Sequence, residues 1–196
     1  MAVRDRAAPG SKRGFLLEFI RRPGQIGAVA PSSKHLARKM LDGLPFRSAG
    51  VVVEYGPGTG AFTGYIRRRL APQTRFMAIE ITPECVRLVR HRHRGVSVHE
   101  GSVADVEKFL AAEGLPTVAS VDLIISGLPW ASFPAALQRS ILEATSRVLK
   151  PGGMLVTFGY HVGTLLPAGK RFYKLLPGYF STVEKSEAVW RNLPPA

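Results

Sequence analysis

The chain has 196 residues, with 27 Lys plus Arg against 14 Asp plus Glu, a formal net charge of +13 at pH 7. That length suits one domain of ordinary size, and a hydrophobic content of 45% is too high for intrinsic disorder. The single cysteine, Cys85, excludes an internal disulfide and a CxxC metal or redox site. No run approaches the ~20 apolar residues of a membrane-spanning helix, and Met1–Arg6 carries no apolar signal core. The expectation is a cytoplasmic protein, soluble or peripheral, needing no metal. Its charge favours a polyanionic partner, nucleic acid or an anionic membrane surface.

Residues 1–14 are basic and broken by Pro and Gly, and read as a disordered tail. Residues 15–45 read as a helical lid segment and 46–196 as the main domain. Phe15–Arg22 places Phe15, Leu16, Leu17, Phe19 and Ile20 on one face at helical spacing, stopped by Pro23-Gly24. Ser32 or Ser33 can cap a second helix over Lys34–Leu41. Beyond residue 50, short apolar runs alternate with helical patterns. Val51–Tyr55, Arg75–Glu80, Val96–Glu100, Val121–Ser126 and Met154–Tyr160 read as strands. Ala61–Leu70, Pro83–His93, Val106–Ala112 and Pro134–Leu149 read as the helices between them. Lys150–Gly153 reads as a turn, residues 169–178 as a last helix and Ser181–Val189 as a sixth strand. This alternation predicts an open, doubly wound, mostly parallel α/β sheet.

The most informative stretch is Glu54-Tyr-Gly-Pro-Gly-Thr-Gly60, where an apolar strand runs through three alternate glycines into a helix. Glycines there allow positive φ and let a ligand approach the main chain beside helix N-terminal amides. The segment formally satisfies the dinucleotide fingerprint G-x-G-x-x-A. It also satisfies acid-x-G-x-G-x-G, and an acid two residues before the first glycine suits an ammonium-bearing ligand and repels a pyrophosphate. The next strand ends at Glu80, followed by Ile81, where a carboxylate can accept both ribose hydroxyls of an adenosine.

That loop resembles the first motif of class I S-adenosylmethionine-dependent methyltransferases. Over nearly the whole chain the sequence looks like the bacterial phospholipid N-methyltransferase family. The resemblance runs through Phe19–Met40, Glu54–Gly60, Ser126-Gly-Leu-Pro129, Thr157–Tyr160 and Val189–Ala196. It implies a Rossmann-like methyltransferase fold, S-adenosylmethionine as cofactor, and an acceptor that is the amine headgroup of phosphatidylethanolamine or a related aminolipid. Glu54, Tyr55, Gly56, Gly58, Thr59 and Gly60 would then form the cofactor loop and Glu80 with Ile81 the ribose site. Gly101, Ser102 and Val103 would border the adenine. Ser126, Leu128 and Pro129 would face the transferring methyl, with Tyr160 as an acceptor or cation–π partner of the ammonium headgroup. His161 is a loop candidate, and Trp190, Arg191 and Asn192 are candidates for a lipid phosphate.

The chain stops where a seventh, antiparallel strand of that class would start, so either the sheet is one strand short or the chain is truncated. Trp130 stands where a smaller apolar residue is expected. The expected partners are an anionic membrane surface and an amine-bearing phospholipid, with the protein a monomer. One rival is a ribosomal-RNA adenine N6-dimethyltransferase-like enzyme, which shares the glycine loop but uses Asn where this chain has Ser126. The other is a cofactor-binding module that docks on membranes without catalysis.

Overall fold

A computed structural model describes residues 34–159 and 161–186 of the chain. Valine-rich Val51–Tyr55 (β1) is buried along its whole length, as expected of a strand covered on both faces. It pairs in parallel with Arg75–Glu80 (β2) on one side and Val121–Ser126 (β4) on the other. Ser97–Glu100 (β3) and Leu149–Thr157 (β5) complete the order β3-β2-β1-β4-β5. This is the doubly wound, Rossmann-like sheet of class I methyltransferases. The order reverses between β1 and β4, and ligands of such sheets bind in the crevice outside the carboxyl ends of the strands there.

Strand alternation sorts the side chains. Val52 and Leu123 pack under Lys34–Leu41 (α1) and Thr63–Arg67 (α2), while Ala78 packs under Pro83–Arg92 (α3). Val51, Val53 and Tyr55 point to the opposite face, against Val106–Ala112 (α4) and Ala135–Val148 (α5). Each helix has a sequence reason. α1 buries Leu36, Ala37, Met40 and Leu41 at three- and four-residue spacing. α3 begins with Pro83 in its first turn, where a missing N–H costs nothing. α5 buries Leu137, Ile141, Leu142, Ala144, Thr145 and Val148. After β5 come His161–Leu165 (α6) and Pro167–Leu175 (α7), with Leu176–Gly178 forming one 3-10 turn.

The structure corrects several expected elements. The helix expected over Ala61–Leu70 is only Thr63–Arg67, because Gly60 and Gly64 weaken its start and Arg69 turns away to pair with Asp42 at 2.9 Å. Lys150–Gly153 is no free turn but part of β5, whose register against β4 shifts between Val121 and Leu123. The Lys150 ammonium bonds Asp122 Oδ1 at 2.7 Å, and Gly152 at φ +78° absorbs the irregularity. Of the expected strand Ser181–Val189, residues 181–186 are irregular and exposed, and among the described residues no strand lies beside them. The tail 1–14, the Phe15–Arg22 helix, Ser32 and Ser33, Tyr160, and the segment Val189–Ala196 lie outside the described residues. No described helix is long and apolar enough to cross a membrane.

Candidate active site

The glycine loop leaves β1 at the switch point. Gly56, Gly58 and Gly60 have φ of +65°, +54° and +84°, the left-handed region that costs an L-residue roughly 1–2 kcal/mol. At Gly60 the requirement is doubled, since a Cβ would lie 2.7 Å from His93 Nε2. That imidazole lies 3.2 Å from the Gly60 carbonyl, and Arg92 donates to the Thr59 carbonyl at 3.1 Å. Burial, opposed by the contact with the Gly60 carbonyl and reinforced by Arg67, Arg92 and Arg68 nearby, lowers the His93 pKa, and the ring braces the loop. At Gly58, by contrast, a Cβ would meet no described atom within 4 Å. The space above Gly58 is open, and only the absence of a side chain keeps it so.

Glu54 sits beneath this loop, 1% exposed. Thr63, the first residue of α2, donates its hydroxyl to Glu54 Oε2 at 2.7 Å. Oε1 is buried and has no partner among the described residues. Burial, opposed by the Thr63 hydrogen bond and reinforced by Glu80, pushes the carboxyl up to about 8. Glu80 ends β2 and splits its oxygens: Oε2 accepts from the Gly58 N–H at 3.0 Å and Oε1 from the Thr82 N–H at 2.9 Å. It thereby ties the glycine loop to the β2 end.

A cleft of about 170 Å³ opens at the strand ends. Of the residues expected there, it is lined by Gly56, Gly58, Glu80, Ile81, Gly101, Val103, Leu128 and Pro129. Ser102, between two lining residues, is not itself part of the lining, and its hydroxyl accepts from the Ala104 N–H at 3.2 Å. Tyr55 is turned to the other face of the sheet, where its fully buried hydroxyl meets Thr145 at 3.4 Å, so only its main chain serves the site. Its carbonyl accepts from the Gly127 N–H at 2.8 Å, and a Cβ on Gly127 would stand 2.8 Å from the Gly56 carbonyl oxygen. The glycine loop and the strand-four loop therefore touch backbone to backbone.

Ser126 is 0% exposed. Its Oγ accepts from Trp130 Nε1 at 3.2 Å and from the Leu128 N–H at 3.4 Å. Trp130 does not stand in the cleft. Its indole is buried, also donates to Thr157 Oγ1 at 3.0 Å, and stacks on Phe172 of α7 with centroids 4.3 Å apart. Gln138 fixes the same turn, donating to the Trp130 carbonyl at 2.7 Å and the Ala168 carbonyl at 2.9 Å. Sequence reasoning missed Ile79, Thr82, Cys85, Gly127, Phe133 and Ile141 as cleft residues. Gly127 could have been found as the residue following β4 and Thr82 as the second residue beyond β2. Phe133 and Ile141 carry no local signal and reach the cleft only through packing.

A buried carboxylate with an orphan oxygen, an open space above a glycine and an acid at the next strand end fit the ammonium, main-chain-hugging chain and ribose of S-adenosylmethionine. Sheet order and cleft together define a class I S-adenosylmethionine-dependent methyltransferase. Residues 52–153 match the family described as a methyltransferase domain, and the chain belongs to that family. The ornithine lipid N-methyltransferase of Singulisphaera acidiphila is 35% identical over 186 residues, 93% of this chain and 91% of that protein. The malonyl-[acyl-carrier protein] O-methyltransferase of a Marinomonas species is 26% identical over 173 residues, 87% of this chain and 60% of that one. Among solved structures, the precorrin-6y C5,15-methyltransferase of Geobacter metallireducens shares the fold. Its TM-score is 0.58 at 19% identity, covering 80% of this chain and 76% of that one.

Proposed function

We propose that this methyltransferase acts on the amine headgroup of a membrane lipid, phosphatidylethanolamine or a related aminolipid, as a peripheral, monomeric protein on the cytoplasmic face of an anionic membrane. The observation that carries this reading is the 35% identity to an ornithine lipid N-methyltransferase across 93% of the chain. When bound, S-adenosylmethionine supplies a methyl on a sulfonium sulfur, open to in-line displacement by an amine nitrogen as S-adenosylhomocysteine leaves.

The protein's part is to bind, orient and dry the reactants. Glu54 Oε1 would take the cofactor ammonium while Thr63 holds Oε2. Glu80 keeps lone pairs for the ribose hydroxyls beyond the two main-chain bonds it already accepts. Gly101 and Val103 would border the adenine. On the acceptor side, Leu128 and Pro129 offer an apolar wall that disfavours a charged ammonium, so the amine arrives there in its neutral, nucleophilic form. Ser126 Oγ is occupied by Trp130 and Leu128, so it supports this wall and does not grip the amine. Tyr160, which precedes α6 in sequence, is the proposed contact for the headgroup ammonium on entry, before it gives up its proton to water and reaches the apolar wall as the neutral amine.

The test is incubation with methyl-labelled S-adenosylmethionine and, separately, phosphatidylethanolamine vesicles, ornithine lipid vesicles and ribosomal RNA. Label in a lipid fraction is expected. Label confined to the RNA, or cofactor binding without transfer to any amine lipid, would refute the reading.

A further inference from the structure

We propose that the outward face of α7, with the end of α6, is the surface on which this protein sits against an anionic phospholipid bilayer. The inference rests on the lipid reading above and adds to it the part of the molecule that makes contact. Leu166, Lys170, Tyr173 and Lys174 are spaced by four, three and one residues, which places them on one side of a helix. Gly169, Phe172 and Leu176 occupy the other side and are buried. Leu165 is 61% exposed, Leu166 37% and Tyr173 36%. Three of the six exposed large hydrophobics among the described residues, Leu165, Leu166 and Tyr173, fall in α7 or at the end of α6 that leads into it, a local concentration of the kind that marks an interaction surface.

No acid occurs in Pro167–Leu175. Lys185 of the following segment reaches over the Tyr173 ring, 6.0 Å from its centroid. Aliphatic and aromatic side chains flanked by lysines on one helical face suit the headgroup–acyl boundary. There the apolar groups insert and the lysine stems snorkel to the phosphates. An RNA backbone would use the lysines but gain nothing from two exposed leucines.

The position of α7 makes this surface useful to the reaction. Gly169 lacks the Cβ that would collide with the Gly163 carbonyl, so α6 and α7 nest closely. Phe172 stacks on Trp130 from beneath. Arg171 donates to Gln138 Oε1 and to the Phe133 carbonyl, both at 3.0 Å, and Phe133 lines the cleft. A bilayer seated on the outward face of α7 is therefore separated by this one helix, about 10 Å across, from the turn that carries Pro129 and the acceptor wall.

The experiment is co-sedimentation of the full chain with vesicles of phosphatidylglycerol and phosphatidylcholine in equal parts, and with phosphatidylcholine alone. It compares the natural chain with Leu165→Ser/Leu166→Ser and with Lys170→Glu/Lys174→Glu. Each pair is expected to weaken partitioning to anionic vesicles roughly tenfold or more, with the affinity for S-adenosylmethionine unchanged. The lysine effect should fade at high salt and the leucine effect persist. Undiminished sedimentation of both variants, with the natural chain still binding, would overturn the assignment of this surface and leave the lipid reading standing. A natural chain that binds no vesicle would overturn both. As a check independent of variant folding, an environment-sensitive dye on Leu165→Cys in a Cys85→Ser background should shift to the blue on anionic vesicles. An unshifted spectrum on vesicles that bind the protein would also overturn the proposal.

Discussion

Replacing Glu54 with Gln should make the cofactor-free protein more stable and a poorer binder of its cofactor. The carboxyl is 1% exposed, one of its oxygens has no partner among the described residues, and its pKa is raised to about 8. Below about pH 4.5 the group is protonated in both the folded and the unfolded chain. As pH rises above that, the unfolded chain releases its proton while the folded chain keeps it, so folding stability falls through the window from 4.5 to 8. The slope is about 1.4 kcal/mol per pH unit, and the loss reaches on the order of 4–5 kcal/mol by pH 8. Glutamine keeps an acceptor for the Thr63 hydroxyl and carries no titrating proton. Its melting temperature should match the natural chain near pH 5 and exceed it by roughly 10 °C near pH 8. With S-adenosylmethionine the gap narrows, because a charge-assisted bond of about 1.5–3 kcal/mol is lost, roughly 10- to 150-fold in affinity. Thermal melts across pH and calorimetric titration read the two effects. Parallel melting profiles would refute the buried, unpaired carboxyl, and equal cofactor affinity would refute its pairing with the ammonium.

Gly58→Val should abolish S-adenosylmethionine binding, since its side chain enters space no described atom occupies, while backbone strain costs only about 1–2 kcal/mol of stability. A folded variant with unchanged affinity would place the cofactor elsewhere. Cys85 lines the cleft, and burial with Glu80 and Glu84 nearby raises its thiol above the usual range. Alkylation should be slow at neutral pH, faster in alkali and blocked by saturating S-adenosylhomocysteine, as mass spectrometry would reveal. Trp130→Phe should keep the stack on Phe172 but lose the N–H bonds to Ser126 and Thr157, costing about 1–3 kcal/mol of stability. Turnover should fall more than cofactor affinity, and an unaltered melt and rate would contradict the support assigned to this indole.

The strands were legible where an apolar run is bounded by polar turns, so β1, β2 and β4 have the limits expected from the residues alone. The same alternation settles a question the glycine motif leaves open. Residues one apart on a strand face opposite ways, so Glu54 meets Thr63 of α2 while Tyr55 meets Thr145 of α5. Motif membership put both on the cofactor, and strand geometry separates them. The shift in β5 was not legible, because it depends on Lys150 reaching Asp122 of a strand 28 residues away. Nor was the burial of Trp130, which requires Phe172 from a helix far along the chain. The six residues 181–186 show the limit of local pattern: their sequence suggests a strand, yet they pair with none of the described strands.

The backbone contact between Gly127 and the glycine loop has an evolutionary consequence. Where Gly127 bonds the Tyr55 carbonyl and has no room for a Cβ beside the Gly56 oxygen, the glycine loop and the strand-four loop are indexed by main-chain atoms that side-chain mutation leaves in place. Variation at Leu128, Pro129 or Phe133 can reshape the entrance for a new nucleophile without displacing the methyl donor's berth. The fold's inheritance is then a fixed donor seat beside an exchangeable doorway.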